Sequence, residues 1–457
     1  MKKYILQIGL ILLLISPAHY AHSSSKDTKE SHFGIHLGSL INDYDRLHPY
    51  IRELGNIYVR NEIWGDLYGW KKVKKGSRHI LGSKELCEQY CDPKRSSSDP
   101  HKPQPKSYYC ENGLLYFCRP NSREGLIEWI PSVADFYQNR KGLPFGWFLT
   151  VLTSRYDKNP PKHYPAGAYP YDNEDTYRGY IEYLVKRLGG KVKYWQIGNE
   201  NDYPNFWAGN PKEYAKMLEI ASKVIRDNGK DCQVGISFTS PDLRGRETWF
   251  QAMERVRDSF DFIDAHYFIP RLMDPNALDQ WRKVCPGKEF ISTETGVSDD
   301  SFVWKGVVPE VGGTRKKQAQ DLIKYITTLF HAGYNKIYWY FIDFDVVPGA
   351  DDPWEHMGLV TKSLDKKPAF ASYKTIIRKV DYFTGIKKLD QGQYVYTFSH
   401  RDPVYVLWSD SGGSALPSGL KGRVKVTDYL GNEQIKPISE IVLTESPVFV
   451  EVITKGL

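Results

Sequence analysis

Apolar, β-rich segments alternate with helical segments along most of this 457-residue chain. Eight segments rich in β-branched and aromatic residues are bounded by turn residues, which predicts strands at 32–37, 56–64, 144–151, 193–199, 233–238, 260–268, 289–294 and 336–342. Apolar residues recur at spacings of three and four between them, which predicts helices at 174–188, 211–227, 246–258, 315–332 and 368–380. The chain therefore repeats a unit of a strand followed by a helix.

This repeat predicts the α/β fold class. Strands that are apolar along their whole length and alternate with helices are typical of a parallel sheet covered by helices. Eight such units within residues 32–380 fit a (β/α)8 TIM barrel that carries insertions. The alternative is an open doubly wound sheet, which is less favoured because no Gly-x-Gly-x-x-Gly motif follows the first strand.

The pattern changes after the last predicted helix. Residues 384–457 contain short runs of alternating apolar residues, and turn pairs such as Gly412-Gly413 and Gly431-Asn432 separate them. The predicted strands are 394–398, 404–408, 423–428, 441–443 and 448–452. We expect a small C-terminal antiparallel β-sandwich domain.

The first residues have the pattern of a signal peptide. Lys2 and Lys3 precede an apolar stretch at 5–15, and small residues follow it. The apolar stretch is shorter than the roughly 18 to 20 residues that span a bilayer, which disfavours the alternative of a retained anchor. Residues 1–23 are therefore predicted to be a signal peptide, and the mature chain to be secreted or periplasmic without stable membrane insertion.

An insertion at about 66–130 separates the second and third predicted strands. It is far longer than an ordinary βα loop, and it contains Cys87, Cys91, Cys110 and Cys118. In an oxidising compartment these four cysteines predict two disulfides, whose connectivity the sequence does not determine. A zinc site fits less well, because Cys110 and Cys118 are further apart than paired zinc ligands usually are, and free thiols are the third interpretation.

The composition becomes informative once the positive charge is mapped along the sequence. The chain is 41% hydrophobic and 14% aromatic with a net charge of +7, which excludes an acidic disordered chain. Residues 71–106 hold ten Lys or Arg against four acidic residues, so most of the positive charge lies in the insertion. A basic loop beside a cleft would favour anionic substrates. Its alternative is a solvated lid, and nucleic acid is a weaker interpretation for an exported loop that contains cysteines.

In a (β/α)8 barrel the reactive groups come from the C-terminal ends of the strands. The candidates at these ends are His36, Arg60, Glu62, Asn199, Glu200, His266, Tyr267, Glu294, Trp339 and Asp343. Glu200 and Glu294 end the fourth and seventh strands, on opposite sides of a closed barrel. Paired carboxylates across a cleft are typical of glycoside hydrolysis, and a spacing of about 5–5.5 Å indicates retention whereas about 6.5–9.5 Å indicates inversion. The alternative is that either glutamate is an unpaired residue of the rim.

Several motifs together resemble clan A of the glycoside hydrolases, which are retaining enzymes on a (β/α)8 barrel. The motifs are Ile197-Gly198-Asn199-Glu200, Thr293-Glu294, Tyr338-Trp339-Tyr340 and the link from Met357-Gly358-Leu359 to Lys367-Pro368-Ala369. The C-terminal domain is similar to the one in the β-xylosidase/α-iduronidase and heparanase-like families. The resemblance covers residues 32 to about 457 without the insertion.

The resemblance implies roles for individual residues. Glu200 would be the general acid/base, Glu294 the nucleophile, and Asn199 a donor to the hydroxyl beside the reacting carbon. Trp339 would form the floor of the sugar subsite. Arg60 is expected in the substrate-binding set because an ionised nucleophile needs a donor close by. The implied function is a retaining glycosidase that acts on an extracellular or periplasmic polysaccharide by a two-glutamate double displacement.

The sixth strand departs from the clan pattern. Many members have His-x-Tyr there, with the tyrosine bonded to the nucleophile, whereas this chain has His266-Tyr267-Phe268. Adjacent residues of a strand face opposite ways, so His266 and Tyr267 do not both face inward unless the strand has ended or bulged. Both are kept as candidate substrate-binding residues. Trp64, Trp207 and Trp304 are candidates for lining the cleft.

Two other classes of function remain open at this stage. A metal-dependent barrel hydrolase would need clustered histidine and carboxylate ligands, and the 12 histidines show no such spacing. A polysaccharide-binding protein without catalysis would not need both glutamates. We therefore expect a metal-independent glycosidase without a cofactor, whose partner is an oligo- or polysaccharide.

Overall fold

The structure, a computed structural model, describes residues 30–36, 44–64, 108–111, 114–117, 147–152, 174–188, 192–203, 206–242, 247–268, 276–299, 302–304, 308–311, 313–343, 356–361, 363–413 and 415–453. The predicted signal peptide, the basic segment 71–106 and the side chains of the four crowded cysteines lie outside the described part of the chain. Export and the disulfides therefore stay predictions.

Eight parallel strands form a closed barrel. They are Phe33–His36, Tyr58–Trp64, Trp147–Leu152, Val192–Ile197, Gln233–Phe238, Phe262–Ala265, Glu289–Thr295 and Lys336–Trp339. The first strand pairs with both the second and the eighth, through Gly34↔Tyr58 and Gly34↔Tyr338, and this pairing closes the ring. The predicted (β/α)8 barrel is confirmed, and the open doubly wound sheet is excluded.

Helices pack outside the barrel, and their ends follow from local sequence. The α-helices in the described part of the chain are Tyr44–Leu54, Glu174–Leu188, Pro211–Asn228, Glu247–Arg255, Ala277–Val284, Arg315–Ala332 and Pro368–Val380. Asn210 starts one of them with a capping box, since its side chain accepts the N–H of Glu213 and the Glu213 side chain accepts the N–H of Asn210. Pro211 then occupies the first helical turn, where its missing N–H costs nothing.

The barrel interior is built in two layers. The lower layer, here called the aromatic layer, consists of Tyr58, Tyr194, Phe262, Ile291 and Tyr338, all at most 2% exposed. Gly34 leaves space for it, because a Cβ at that position would lie 2.2 Å from the Tyr338 ring. Side chains two residues further along a strand face the same way. The next inward positions therefore form a second layer directly above the rings.

This second layer, here called the polar layer, consists of His36, Arg60, Gln196, Ser237, Asp264 and Thr293. All six side chains are buried, at 4% exposure or less. Buried polar groups are stable only when hydrogen-bonded to one another or to the backbone. The polar layer lies at the C-terminal end of the strands, where barrel enzymes carry their reactive groups.

The C-terminal residues form the expected antiparallel domain, with all strands hydrogen-bonded as one sheet. Its spatial order is Gly385–Asp390, Gln393–Thr397, Val404–Leu407, Val448–Val452, Arg423–Asp428 and Glu433–Pro437. Residues such as Tyr396 and Val406 belong to the main core, whereas Leu407 and Val450 belong to a separate core cluster. The sheet therefore carries buried side chains on both faces, one facing the main core and the other facing the separate core cluster.

Two details of this domain differ from the prediction. Residues 441–443 are not a strand; Ile441 and Leu443 are buried there in a loop that packs on the separate core cluster. The strands Gly385–Asp390 and Glu433–Pro437 were not predicted, because they lie at the two sheet edges and most of their side chains are exposed.

Among the described residues, no helix is both long and apolar enough to cross a membrane.

Asp381 fastens the end of the last helix to the start of the first strand. Its carboxylate accepts hydrogen bonds from Ser31 Oγ at 2.8 Å and from the His32 N–H at 2.9 Å. Burial raises the pKa of Asp381 to about 6. Between pH 4 and 6 the folded state therefore binds more protons at this site than the unfolded state, and its contribution to the free energy of unfolding falls as the pH rises.

We expect Asp381→Asn to remove this pH dependence. The asparagine keeps an acceptor for the His32 N–H but does not ionise, so the free energy of unfolding of the variant should improve relative to wild type by about 2–3 kcal/mol between pH 4 and pH 7. Urea unfolding at several pH values measures the difference. A difference between the two proteins that does not change with pH would contradict the prediction.

Candidate active site

Arg60 is the centre of the polar layer. It is fully buried, and its Nη1 donates to Glu294 Oε1 at 2.6 Å while its Nη2 donates to Asn199 Oδ1 at 2.7 Å. A buried guanidinium with a fixed planar fork orients both of its acceptors. Because Asn199 Oδ1 is occupied by Arg60, the amide nitrogen of Asn199 is the atom left to face a substrate. The structure therefore brings together Arg60, Asn199 and Glu294 as predicted.

Glu294 reaches the interior through an irregularity of the seventh strand. Thr293 already faces inward in the polar layer, so a regular strand would turn Glu294 outward. The pairing with the eighth strand shifts from Ile337↔Ser292 to Trp339↔Thr295, which leaves one extra residue on the seventh strand. Such a bulge redirects the following side chain, and Glu294 is consequently 6% exposed and in contact with Arg60.

Glu200 is positioned by an unusual backbone after the fourth strand. Gly198 and Glu200 both have positive φ, at 77° and 43°. A Cβ at Gly198 would lie 2.0 Å from Asn201 Oδ1, so glycine is required there. The Glu200 N–H donates to Ser237 Oγ at 3.2 Å, which ties the strained turn to the fifth strand. Backbone strain of this kind is concentrated at functional sites.

His266 lies between the two glutamates. Its Nδ1 is 2.8 Å from Glu200 Oε1 and 3.5 Å from Glu294 Oε2, and the ring is fully buried. One oxygen of Glu200, one of Glu294 and a ring nitrogen of His266 all lie within 4.8 Å of one another. The side chain of Glu200 is 15% exposed, so this carboxylate is the most accessible of the group. The two predicted catalytic glutamates therefore face each other across a short gap.

Asp264, which sequence reasoning missed, holds the other side of the His266 ring. Its Oδ2 is 2.9 Å from His266 Nε2. The same carboxylate accepts Ser237 Oγ at 2.8 Å, Thr293 Oγ1 at 2.8 Å and the Thr293 N–H at 2.7 Å. Asp264 is two residues before His266 on the sixth strand, so strand alternation could have placed both on the inward face.

The charges of the histidines follow from their neighbours. Burial lowers the pKa of His266, but the carboxylates of Glu294 and Asp264 raise it by more, so that it lies well above its ordinary value. The pKa of His36 lies well below its ordinary value, because of burial and of the positive charges of Arg60 and His266. Burial raises the pKa of Asp264, and His266 and Arg60 lower it by more.

Trp339 is not placed as the resemblance implied. Tyr338 belongs to the aromatic layer inside the barrel, so its neighbour Trp339 faces the outer helices. Trp339 is 0% exposed, and its indole N–H donates to the Met357 carbonyl at 2.9 Å. A buried indole has no face on which a sugar could stack. The partly exposed Tyr340, whose ring centroid lies 5.2 Å from that of His36, occupies the next inward position.

Tyr267 also lies away from the site. Its ring packs against the main core, and after burial its charge is the next cause that raises the pKa of Tyr334. Tyr334 in turn donates to the Ala265 carbonyl, outside the barrel wall. His266 is therefore the inward residue of this pair, and the alternation of the strand continues to its end. The inward position after His266 is occupied by Phe268, whose ring lies edge-on to those of His266 and Tyr340.

The remaining candidates are outside the site or outside the described side chains. Trp207 is 3% exposed and donates its indole N–H to the Asn210 carbonyl at 3.3 Å, so it is a core residue. Asp343 follows the eighth strand and is partly exposed. Nothing is described of the side chains of Glu62, Trp64 and Trp304.

Glu200, His266 and Glu294 also have the spacing of metal ligands. Two positive charges oppose a cation among them, because Arg60 is bonded to Glu294 and the pKa of His266 is raised. Both ring nitrogens of His266 already face carboxylates, so coordination would break a hydrogen bond to one of them. The donor set fits proton transfer between buried acids better than it fits metal binding.

The fold is shared with solved structures of glycoside hydrolases. A family 39 glycoside hydrolase from the gut symbiont Bacteroides cellulosilyticus WH2 aligns with a TM-score of 0.61 and 14% identity over 92% of this chain and 80% of that chain. A GH39 β-xylosidase from Caulobacter crescentus aligns with a TM-score of 0.53 and 12% identity over 92% and 96%. The endo-β1,6-glucanase BT3312 aligns with a TM-score of 0.53 and 10% identity over 93% and 91%.

By sequence, the chain matches no protein-family model and no curated protein. Identities of 10–14% to the solved structures show a common fold and leave the reaction to be argued from the site. The comparisons thus show that this chain has the fold of these glycoside hydrolases.

Proposed function

We propose that the protein is a retaining glycoside hydrolase that cleaves O-glycosidic bonds of a polysaccharide. The observation that carries the proposal is the pair of facing carboxylates: one oxygen of Glu200 and one of Glu294 lie within 4.8 Å of each other. This spacing fits the roughly 5–5.5 Å of retaining enzymes and is too short for the water that inverting enzymes place between their carboxylates, at about 6.5–9.5 Å.

The two glutamates divide the work by environment. Glu294 is bonded to the permanent cation Arg60, which suits a carboxylate that attacks the anomeric carbon. Glu200 is the more accessible carboxylate, which suits the group that protonates the leaving oxygen and later activates water. The Asn199 amide nitrogen, oriented by Arg60, would donate to the sugar hydroxyl beside the reacting carbon.

The floor of the sugar site is assigned to Tyr340 in place of Trp339. Tyr340 is partly exposed next to the buried His36 and Phe341 rings at the end of the barrel. Aromatic faces bind the C–H faces of sugars by burial of apolar area.

Three finer features complete the proposal. The first 23 residues support secretion or export to the periplasm, where a polysaccharide substrate would be met. The basic segment 71–106 supports an anionic glycan through its local excess of positive charge. The positive charges of Arg60 and His266 would repel a metal cation, which supports a reaction that needs no metal.

A panel of neutral, uronic-acid and sulfated polysaccharides, assayed for new reducing ends with wild type and Glu294→Gln, tests the function. We expect hydrolysis of one class by wild type alone, unaffected by a chelator, and the first product seen by NMR should keep the anomeric configuration of the substrate. Binding without cleavage would favour the alternative of a polysaccharide-binding protein. Loss of activity in chelator would favour a metal-dependent hydrolase, and an inverted product would contradict the double displacement.

A further inference from the structure

The polar layer contains one buried acid that the two-glutamate mechanism does not use. Asp264 is 0% exposed and accepts four hydrogen bonds, from Ser237 Oγ, Thr293 Oγ1, the Thr293 N–H and His266 Nε2. A carboxylate with this many donors is held in one orientation and stays ionised. Burying an ionised acid beneath an active site is costly unless its charge is matched. The matching group is His266.

Asp264 determines which nitrogen of His266 carries a proton. A carboxylate is only an acceptor, so Nε2 at 2.9 Å from Asp264 Oδ2 must be protonated. Nδ1 is then the nitrogen that faces Glu200 Oε1, at 2.8 Å. At that distance one proton lies between Nδ1 and the carboxylate, on the ring or on the glutamate. The order Asp264, His266, Glu200 repeats the logic by which a buried carboxylate orients a histidine toward a reacting group.

We propose that Asp264 and His266 are positioning residues of the reaction, which keep a transferable proton on the pair formed by His266 Nδ1 and Glu200. This inference rests on the proposed function. In the first half-reaction the shared proton passes by way of Glu200 to the glycosidic oxygen. The bond from that oxygen to the anomeric carbon breaks, its electron pair stays on the oxygen, and a Glu294 oxygen bonds to the carbon.

The second half-reaction restores the pair. Glu200, now a carboxylate, removes a proton from water, and the water oxygen bonds to the anomeric carbon. The bond between that carbon and Glu294 breaks, and its electron pair returns to the Glu294 carboxylate. The recovered proton is again shared between Glu200 and His266, so the site ends each cycle with the charge that it had at the start.

The charges of the surrounding groups agree with this assignment. With one proton between His266 Nδ1 and Glu200, that pair is neutral overall, so Arg60 is left to oppose the two negative charges of Asp264 and Glu294. Loss of the shared proton would add a further negative charge to a buried site that is already negative, which favours keeping the proton on the pair. The groups that face His266 come from every inner element near it: His36 and Arg60 from the first and second strands, Glu200 after the fourth, Asp264 on its own strand, and Glu294 with Thr293 on the seventh. His36 adds no charge, because its pKa is lowered.

Asp264→Asn tests the proposal, since it removes the charge and keeps the shape. The negative charge of Asp264 raises the pKa of His266, so its removal should release the shared proton at lower pH. We expect the basic limb of the kcat/KM profile on the natural glycan to move to lower pH by about one unit or more. A dinitrophenyl glycoside of the same sugar needs no protonation of its leaving group, so its kcat/KM should stay within about threefold of wild type.

Asp381→Asn is the matched control, because it neutralises a buried aspartate at the opposite end of the barrel. It should leave the pH profile in place. If Asp264→Asn does not fold, His266→Gln carries the same test, since it removes the shared-proton partner and should move the basic limb in the same direction. An unchanged basic limb in a folded variant, or an equal loss for both substrates at every pH, would overturn the proposal and leave Asp264 a structural residue. Wild-type protein that hydrolyses no glycan would instead overturn the proposed function.

Discussion

Replacing the proposed nucleophile should abolish hydrolysis: we expect Glu294→Ala to lower kcat by about 10⁴-fold or more, the scale seen when a covalent nucleophile is removed. No second carboxylate of the polar layer can take its place, since Asp264 is fully buried and bonded to four donors. The alanine also leaves Arg60 as a buried charge without its 2.6 Å partner. Removing the carboxylate from a buried ion pair in this way should lower the free energy of unfolding by about 3–5 kcal/mol.

The activity and the stability effects can be separated. Glu294→Gln keeps an oxygen for Arg60 but is not a nucleophile, so it should fold better than Glu294→Ala and be equally inactive. Glu254→Gln, on the exposed side of the helix Glu247–Arg255, is the matched control and should keep full activity. Reducing-end assays, with thermal unfolding of all three variants, measure both effects. Turnover by Glu294→Gln above about 1% of wild type would rule out the assignment of the nucleophile.

Sequence periodicity was sufficient for the barrel because the signal repeats eight times. Barrel strands such as Gln233–Phe238, Phe262–Ala265 and Glu289–Thr295 are buried on both faces, and a helix such as Arg315–Ala332 was predicted to the residue. The helices Tyr44–Leu54 and Ala277–Val284 were not predicted, because they have 11 and 8 residues and the first contains Pro49. Short elements that are stabilised mainly by tertiary packing give a weak periodic signal.

The site was predictable where it depends on the strand alternation and less so where the backbone is irregular. His266 and Tyr267 follow the alternation, so the inward residue could have been chosen by counting from Phe262. Counting from Tyr338 in the same way predicts that Trp339 faces outward and Tyr340 faces inward. The motif resemblance implied instead that Trp339 faces the sugar. Glu294 breaks the rule through a bulge, which depends on the partner strand and is not visible in one sequence.

Asp264 was missed for a different reason. The candidates came from the C-terminal ends of the predicted strands, whereas Asp264 lies in the middle of the predicted strand 260–268, one layer below the rim. Its chemistry depends on three partners from the fifth, sixth and seventh strands, namely Ser237, His266 and Thr293. These contacts depend on how the barrel closes and on the register of neighbouring strands. An acidic residue on the inner face of a strand can therefore be assigned to the site only after it is known which residues of the other strands lie in the same layer.

Replacing the proposed acid/base should give a loss that depends on the leaving group. We expect Glu200→Ala to lower kcat/KM on the natural glycan by about 10²–10⁴-fold, since the leaving oxygen of a sugar needs a proton. A dinitrophenyl leaving group departs without one, so kcat/KM for that glycoside should fall less than about tenfold. Its kcat should nevertheless drop steeply, because no carboxylate then activates water and the glycosyl-enzyme at Glu294 accumulates.

Azide distinguishes this role from a merely structural one. A small anionic nucleophile can enter the space left by Glu200, whose side chain is 15% exposed, and attack the glycosyl-enzyme without a general base. We expect azide to restore kcat of Glu200→Ala with the dinitrophenyl glycoside by about tenfold or more and to yield a glycosyl azide of retained configuration. Azide should not rescue retention in Glu294→Ala, where the first displacement is missing. Equal effects of Glu200→Ala on both substrates, without rescue, would mean that Glu200 does not transfer the proton.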